Sequence, residues 1–433
     1  MASQLISPAR SLQGSLVLPG DKSISHRYAM LAGLAEGTSR LANFSTGEDP
    51  HSTLACIEAL GAKVDDKGTH IEVAGTAGHF AAPAKPLDCG NSGSTMRMLA
   101  GLIASHPHAF TLVGDRSLTL RPMERIRGPL TQMGARITLE EGHAPMHVQG
   151  GPLTGSHFES PIASAQVKTA ILFAGLQATG TTSVAEGIAT RDHTEHALRA
   201  FGATLQATQG SVSRIQIEGG QRLRAIDATV PGDLSSAAFF LCAALLFPDA
   251  NLVLDSIGMN PTRSALLDVL SALGAKLRVL SLEEQHGELI GTLQVNTTLA
   301  PPANGPLTIG GALTAQLIDE LPVLAAIAPY TRDGIVIRDA QELRVKESDR
   351  IDLVARNLHA MGAQFTEHPD GLEIPGGQVL HGASIDSGGD HRIAMAFSVA
   401  ALRATSQSEI QGSEAAAVSF PEFFRHLATL CPA

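Results

Sequence analysis

An apolar-Gly-Ala turn recurs five times in this chain, each time at the close of a helix-like stretch. The copies are Leu60-Gly61-Ala62, Met133-Gly134-Ala135, Phe201-Gly202-Ala203, Leu273-Gly274-Ala275 and Met361-Gly362-Ala363, with glycines 73, 68, 72 and 88 residues apart. Such regularity marks an internally repeated architecture. Glycine just past the last helical turn is the left-handed cap that ends a helix. With a last unit ending at the C-terminus, the chain reads as about six copies of one supersecondary unit.

Each unit holds two kinds of helix. The first kind reads SHRYAMLAGLA, STMRMLAGLIA, AQVKTAILFAGLQ, SSAAFFLCAALL, DELPVLAAIA and HRIAMAFSVAAL. These are apolar nearly all round and are expected to be buried. The second kind, such as STLACIEALGA and ESDRIDLVARNLHAMGA, is apolar every three or four residues and is expected to line the outside. Short β-like segments separate them, among them Ile71-Val73, Phe110-Val113 and Leu252-Leu254. Strands alternating with helices indicate an α/β fold. The midpoint falls at Val230-Pro231-Gly232-Asp233, after three units. Two similar halves are expected, 21–231 and 232–433, joined closely with a cleft between them.

Composition narrows the function. The chain of 433 residues is 44% hydrophobic with a net charge of −11, which fits a folded protein and argues against general binding to nucleic acid or an anionic membrane. Trp is absent and there are two Tyr, too few aromatics for a single-strand stacking platform. The run from Ala237 to Pro248 is shorter than the ~20 residues of a membrane span. Four scattered cysteines without a CxxC pair fit reduced thiols in a cytoplasmic protein, and no signal peptide is visible.

Chemistry is concentrated at the mouths of the helices. Pro19-Gly20-Asp21-Lys22-Ser23-Ile24-Ser25-His26-Arg27 brings Lys, Ser and Arg to the start of a buried helix, where free N–H groups favour an anion. Gly90-Asn91-Ser92-Gly93-Ser94-Thr95 lets a ligand approach bare backbone. Arg121 stands before Pro122 at another helix start. Ser164, Ala165 and Gln166 open the third buried helix, and Arg191 precedes a fourth helix, where it meets an anion or Asp192 and Glu195. Asp319 and Glu320 open an apolar helix, a costly place for carboxylates without partners; Asp319 reads equally as a helix cap or a general base. Lys346 and Arg350 stand four apart around Glu347, and Arg392 enters the last buried helix behind Asp390. If equivalent ends converge, they form one pocket of many cations and two acids, suited to multiply anionic small ligands and acid–base chemistry.

Nine ordered segments carry a resemblance: PGDKSISHR, GNSGSTMR, GDRSLTLRPM, ASAQVK, TRDHTEH, PGDLSSAAF, IDELP, ELRVKESDR and DHRIAMAF. Together the chain resembles the 5-enolpyruvylshikimate-3-phosphate synthases, nearly end to end. The resemblance implies a two-domain inside-out α/β barrel of the enolpyruvyl transferase type, with six βαβαββ repeats, three per domain. It places the first domain at 21–231 and the second at 1–20 and 232–433, with the active site in the cleft. It implies transfer of the enolpyruvyl group of phosphoenolpyruvate to the 5-hydroxyl of shikimate 3-phosphate, without metal or organic cofactor. Lys22, Ser23, Arg27, Ser164, Ala165, Gln166, Arg191, Asp319 and Lys346 are implied around shikimate 3-phosphate. Lys22, Asn91, Gly93, Arg121, Gln166, Arg350 and Arg392 are implied around phosphoenolpyruvate. Asp319 would take the hydroxyl proton, Glu347 would exchange the methylene and methyl proton, and Lys22 would assist the leaving phosphate. A cytoplasmic monomer acting on small molecules, with no nucleic-acid or membrane partner, is expected. TRDHTEH and SAQVK look most like the subgroup that tolerates glyphosate, but Gly93 is not the Ala that crowds that inhibitor in tolerant members, so the resemblance makes glyphosate an expected competitor of phosphoenolpyruvate.

Two positions depart from the family pattern. Ala165 replaces a common Ser, and Val418 stands where many members carry Lys. The sister enzymes that act on UDP-N-acetylglucosamine typically pair an early Lys with Asn and carry a reactive Cys in the loop before the RxxG segment. Here the pair is Lys22-Ser23, and Gly114 to Arg121 contains no Cys.

Overall fold

A computed structural model describes residues 2–208, 210, 212–297 and 305–432. The chain divides into two compact units. One comprises Gly20–Val230 with Glu284–Glu288; the other comprises the N-terminal segment to Pro19, Pro231–Glu283 and the chain from Leu289 onward. Among the described residues the strands form six small sheets, five four-stranded and one three-stranded.

The sheets repeat one wiring. In the Gly20–Val230 unit, Leu87–Asp88 runs parallel to Ala109–Val113, which pairs antiparallel with His143–Gln149, itself antiparallel to Arg136–Glu140. His157–Ser160, Thr181–Glu186, Ser213–Glu218 and Leu205–Thr208 follow the same order. The first sheet draws its parallel strand, Asp227–Thr229 beside Thr38–Ala42, from the far end of the unit. In the other unit the N-terminal segment supplies two strands. Gln13–Val17 runs parallel to Asn251–Gly258, and Ser3–Ile6 runs antiparallel to Ser408–Gln411.

Each unit has its own core, and apolar helices fill it. The helices Lys22–Leu34, Gly93–Ile103 and Ala165–Gln177 are almost wholly buried in one unit. Leu234–Leu245, Leu321–Ile327 and His391–Ala401 are buried in the other. Strands such as Ala109–Val113 alternate buried and open positions, as a sheet with one covered face must. Helices lie within and sheets around them, so the fold is an inside-out α/β barrel of two three-repeat units.

The turn glycines take the conformation their recurrence implied. Gly61, Gly134, Gly202, Gly274 and Gly362 have φ of 107°, 112°, 91°, 108° and 81°. Gly101 serves differently: a Cβ there would lie 2.1 Å from the Ala170 carbonyl oxygen, so two buried helices touch backbone to backbone.

One expectation shifts. Sequence spacing starts a helix at Glu347, but the helix opens at Arg350, after the short 3-10 turn Gln341–Val345. Asp349 is the cause, because its carboxylate accepts from the Asp352 amide at 3.0 Å and caps the helix there. Lys346 and Glu347 therefore lie in the bend between the two rather than on a helix face. Among the described residues no helix is long and apolar enough to cross a membrane.

Candidate active site

In the Gly20–Val230 unit the helix Lys22–Leu34 opens on Asp21, whose Oδ1 accepts from the Ile24 amide at 2.9 Å. Lys22 Nζ lies 3.0 Å from Oδ2 of Asp49, at the head of the helix Glu48–Ala59. Arg27, one turn on, is buried. Its Nη1 donates to the Ser23 carbonyl at 2.8 Å, its Nε to Thr194 Oγ1 at 2.7 Å and its Nη2 to Thr169 Oγ1 at 2.8 Å. These three acceptors are neutral. Burial lowers the guanidinium to about 10, with Glu195 and Asp21 pulling the other way. A cation desolvated among neutral oxygens is favourably placed for an anionic ligand.

The next two mouths form one connected patch. Asn91 Oδ1 accepts from Arg121 Nη2 at 2.8 Å, and Asn91 Nδ2 donates to Asp115 Oδ2 at 2.7 Å. A Cβ on Gly93 would lie 2.9 Å from Arg97 Nη1 and 3.2 Å from Arg121 Nη1, so the bare backbone lets two guanidinium tips approach the helix mouth. Arg97 Nη1 donates to Gln166 Oε1 at 2.8 Å, and Gln166 Nε2 donates to Ser94 Oγ at 2.9 Å. Ser164 caps the helix Ala165–Gln177 through the Val167 amide at 3.4 Å. Ala165 contributes its carbonyl to the Thr169 hydroxyl at 2.6 Å. Arg191 lies half-buried just ahead of the helix His193–Ala200. Of the two acids near it in sequence, Glu195 lies 2.9 Å from Lys168 and Asp192 lies 3.3 Å from His196.

In the other unit the two acids of IDELP part company. Glu320 turns inward, accepting from the Ser235 hydroxyl with Arg263 Nη2 at 3.8 Å. Asp319 faces three cations: Lys346 Nζ at 3.7 Å, Arg350 Nη1 at 3.9 Å and Arg392 Nη2 at 3.9 Å. Arg392 Nη1 also donates to the Asp319 carbonyl at 2.8 Å. Burial pushes the Lys346 ammonium below its ordinary range, against the pull of Asp319.

Arg350 is the centre of this cluster. Its Nε donates to Asp390 Oδ2 at 2.8 Å, and its Nη2 donates to Glu347 Oε2 at 2.6 Å. Burial alone would lower the guanidinium, but Asp390, Glu347 and Asp319 together hold it above its ordinary value. Nη1 of Arg350 is buried with no hydrogen-bond partner among the described residues. Asp390 also caps the helix His391–Ala401, accepting from the Arg392 amide at 2.9 Å and from Ser348 Oγ at 2.9 Å. Val418 ends the turn Ser413–Val418 and brings no charge to its position.

Within each unit, then, the predicted residues gather at helix mouths. Arg97 and Lys168 lie near them and were given no role from sequence, and Asp390 was read there only as the charge ahead of Arg392. The signal was present: a charge inside an apolar helix, as in STMRMLAGLIA or AQVKTAILFAGLQ, is costly without a dedicated partner.

Comparison with known proteins agrees over the whole length. The family model described as EPSP synthase (3-phosphoshikimate 1-carboxyvinyltransferase) matches residues 6–427. The 3-phosphoshikimate 1-carboxyvinyltransferase of Koribacter versatilis is 58% identical, covering 98% of each chain. That of Solibacter usitatus is 52% identical, again over 98% of both. A solved structure of EPSP synthase from Acinetobacter baumannii superposes with a TM-score of 0.86 at 39% identity, covering 99% of this chain and 98% of that one. With two three-repeat inside-out units and charged helix mouths, the chain belongs to the EPSP synthase (3-phosphoshikimate 1-carboxyvinyltransferase) family.

Proposed function

We infer that this protein transfers the enolpyruvyl group of phosphoenolpyruvate to the 5-hydroxyl of shikimate 3-phosphate, releasing phosphate. This is the shikimate-pathway step toward chorismate and the aromatic amino acids. The observation that carries the residue assignment is Asp319, a carboxylate ringed by Lys346, Arg350 and Arg392, with Glu347 bound to the same Arg350. Such a cluster combines anion binding with two proton-accepting groups.

The acceptor is assigned to Lys22, Ser23, Arg27, Ser164, Ala165, Gln166, Arg191, Asp319 and Lys346. Arg27 supports this assignment because its protein partners there are neutral oxygens. Ala165 adds no hydroxyl, leaving Ser164 and Gln166 as the neutral donors of that helix mouth. Phosphoenolpyruvate is assigned to Lys22, Asn91, Gly93, Arg121, Gln166, Arg350 and Arg392. The unsatisfied Arg350 Nη1 supports that side.

In the reaction Asp319 accepts the 5-hydroxyl proton as the oxygen bonds to C2 of phosphoenolpyruvate. Glu347 delivers a proton to C3, giving a tetrahedral adduct with a methyl group. Glu347 then removes a methyl proton as the C2–O bond to phosphate breaks, and Lys22 protonates the departing oxygen. Cationic character grows at C2 on protonation, and the nearby carboxylates stabilise it. The enzyme is read as a cytoplasmic monomer.

The test is phosphate release from phosphoenolpyruvate with shikimate 3-phosphate or UDP-N-acetylglucosamine as acceptor. Release with the first alone is expected. Release with the sugar nucleotide alone would reassign the acceptor.

A further inference from the structure

Lys168 stands apart from the residues given roles above. Only 2% of its side chain is exposed, and its helix is apolar from Ala170 to Leu176. Its Nζ lies 3.1 Å from Glu186 Oε2, 2.9 Å from Glu195 Oε1 and 3.5 Å from the Thr190 carbonyl. Glu186 reaches the same threonine: it accepts from the Thr190 hydroxyl at 2.6 Å and from the Thr190 amide at 3.5 Å. Thr190 is thus held at carbonyl, amide and hydroxyl by side chains rooted in a buried helix and the strand Thr181–Glu186. Arg191 is the next residue.

The other flank of Arg191 is tied to the same cluster. Glu195 lies in the helix His193–Ala200, beside Thr194. The Thr194 hydroxyl accepts from Arg27 Nε at 2.7 Å and lies 2.6 Å from Thr169 Oγ1, the neighbour of Lys168. Two buried cations, Arg27 and Lys168, therefore share one region with two buried acids, Glu186 and Glu195.

Stability alone does not call for this arrangement. Apolar side chains of equal volume usually match or exceed a buried ion cluster in stability. The hydrogen bonds from Lys168 and Glu186 to Thr190 instead fix one orientation of the backbone they hold.

We propose that Lys168, with Glu186 and Glu195, is a positioning cluster that sets the backbone on both sides of Arg191 so that its guanidinium meets shikimate 3-phosphate. This rests on the reading of Arg191 as an acceptor-side residue. Lys168 acts through Arg191 and not on substrate directly.

The test is steady-state kinetics of Lys168→Met, Thr190→Val and Arg191→Ala. Lys168→Met is expected to raise KM for shikimate 3-phosphate about ten-fold, with KM for phosphoenolpyruvate and kcat within about two-fold. Thr190→Val, which removes only a hydroxyl and leaves each buried charge paired, is expected to raise the same KM about three-fold. In an Arg191→Ala background the effect of Thr190→Val should vanish, because residues acting through one contact are not additive. If Arg191→Ala raises the acceptor KM while Thr190→Val and Lys168→Met leave it alone, this proposal fails and the site reading stands. If Arg191→Ala leaves the acceptor KM unchanged, the site reading fails and takes the proposal with it. Equal rises in both KM values, or full additivity with Arg191→Ala, mark a merely structural role and overturn the proposal. Should Lys168→Met not fold, Thr190→Val decides the matter by the same criteria.

Discussion

The Arg350 guanidinium holds the Asp390 carboxylate through Nε at 2.8 Å and Nη2 at 3.3 Å, with both side chains shut off from water. The pair joins the head of the helix Arg350–Ala360 to the mouth of His391–Ala401. It thereby aims Arg350 Nη1 toward Asp319, 3.9 Å away.

Asp390→Ala takes away the fully buried partner of the Arg350 guanidinium, leaving it only Glu347 and the more distant Asp319, and should destabilise the protein by about 3–5 kcal/mol in urea denaturation. Burial would raise the Asp390 carboxyl, but Arg350 overrides it and the group sits below the ordinary carboxylate range. Its contribution is therefore present above the unfolded value of about 3.9 and is lost as pH falls through the lower folded value. Asp390→Asn should flatten the fall in stability on the acid side. An unchanged acid limb would show that the pair does not govern it.

Asp319→Ala and Glu347→Gln should each lower kcat by about 10²–10⁴-fold, the usual scale of general acid–base catalysis. Binding of shikimate 3-phosphate should survive Glu347→Gln, measured by calorimetry. A Glu347→Gln enzyme with kcat near wild type would remove that residue from the proton transfers.

Gly93→Ala would place a Cβ 2.9 Å from Arg97 Nη1 and 3.2 Å from Arg121 Nη1. These are flexible tips, so the chain still folds but the guanidinium groups must withdraw from the helix mouth. Glyphosate is expected to compete with phosphoenolpyruvate in the native enzyme. The substitution should weaken glyphosate by about ten-fold or more, roughly 1.4 kcal/mol. Equal inhibition constants for the two proteins would sink this idea.

Gly101→Ala and Gly202→Ala separate two uses of glycine. At Gly202, φ is 91° and no atom lies within 4 Å of the added Cβ, so the cost is backbone strain alone, about 1 kcal/mol. At Gly101 the Cβ would meet the Ala170 carbonyl at 2.1 Å, and the buried helices must separate. That should cost about 3 kcal/mol or more, beyond common overpacking. Similar denaturation midpoints for the two variants would contradict the backbone contact.

The repeat, the buried helices and the positions of the charged mouths were legible because each is local. Turn glycines, apolar periodicity and cap residues act within a few residues of chain. So did the family resemblance, whose motifs are short and ordered. Sequence alone left Asp319 balanced between cap and base, and it started one helix at Glu347 rather than Arg350. Tertiary structure settled the geometry of both. Glu320 occupies the cap position and turns to Ser235, while Asp319 meets cations from two later segments. The partners of Lys168 lie 18 and 27 residues away, and Arg350 finds Asp390 across 40. Burial makes such charges select a partner, but which partner depends on how the chain returns. That return is set by packing of the whole unit, and no local pattern encodes it.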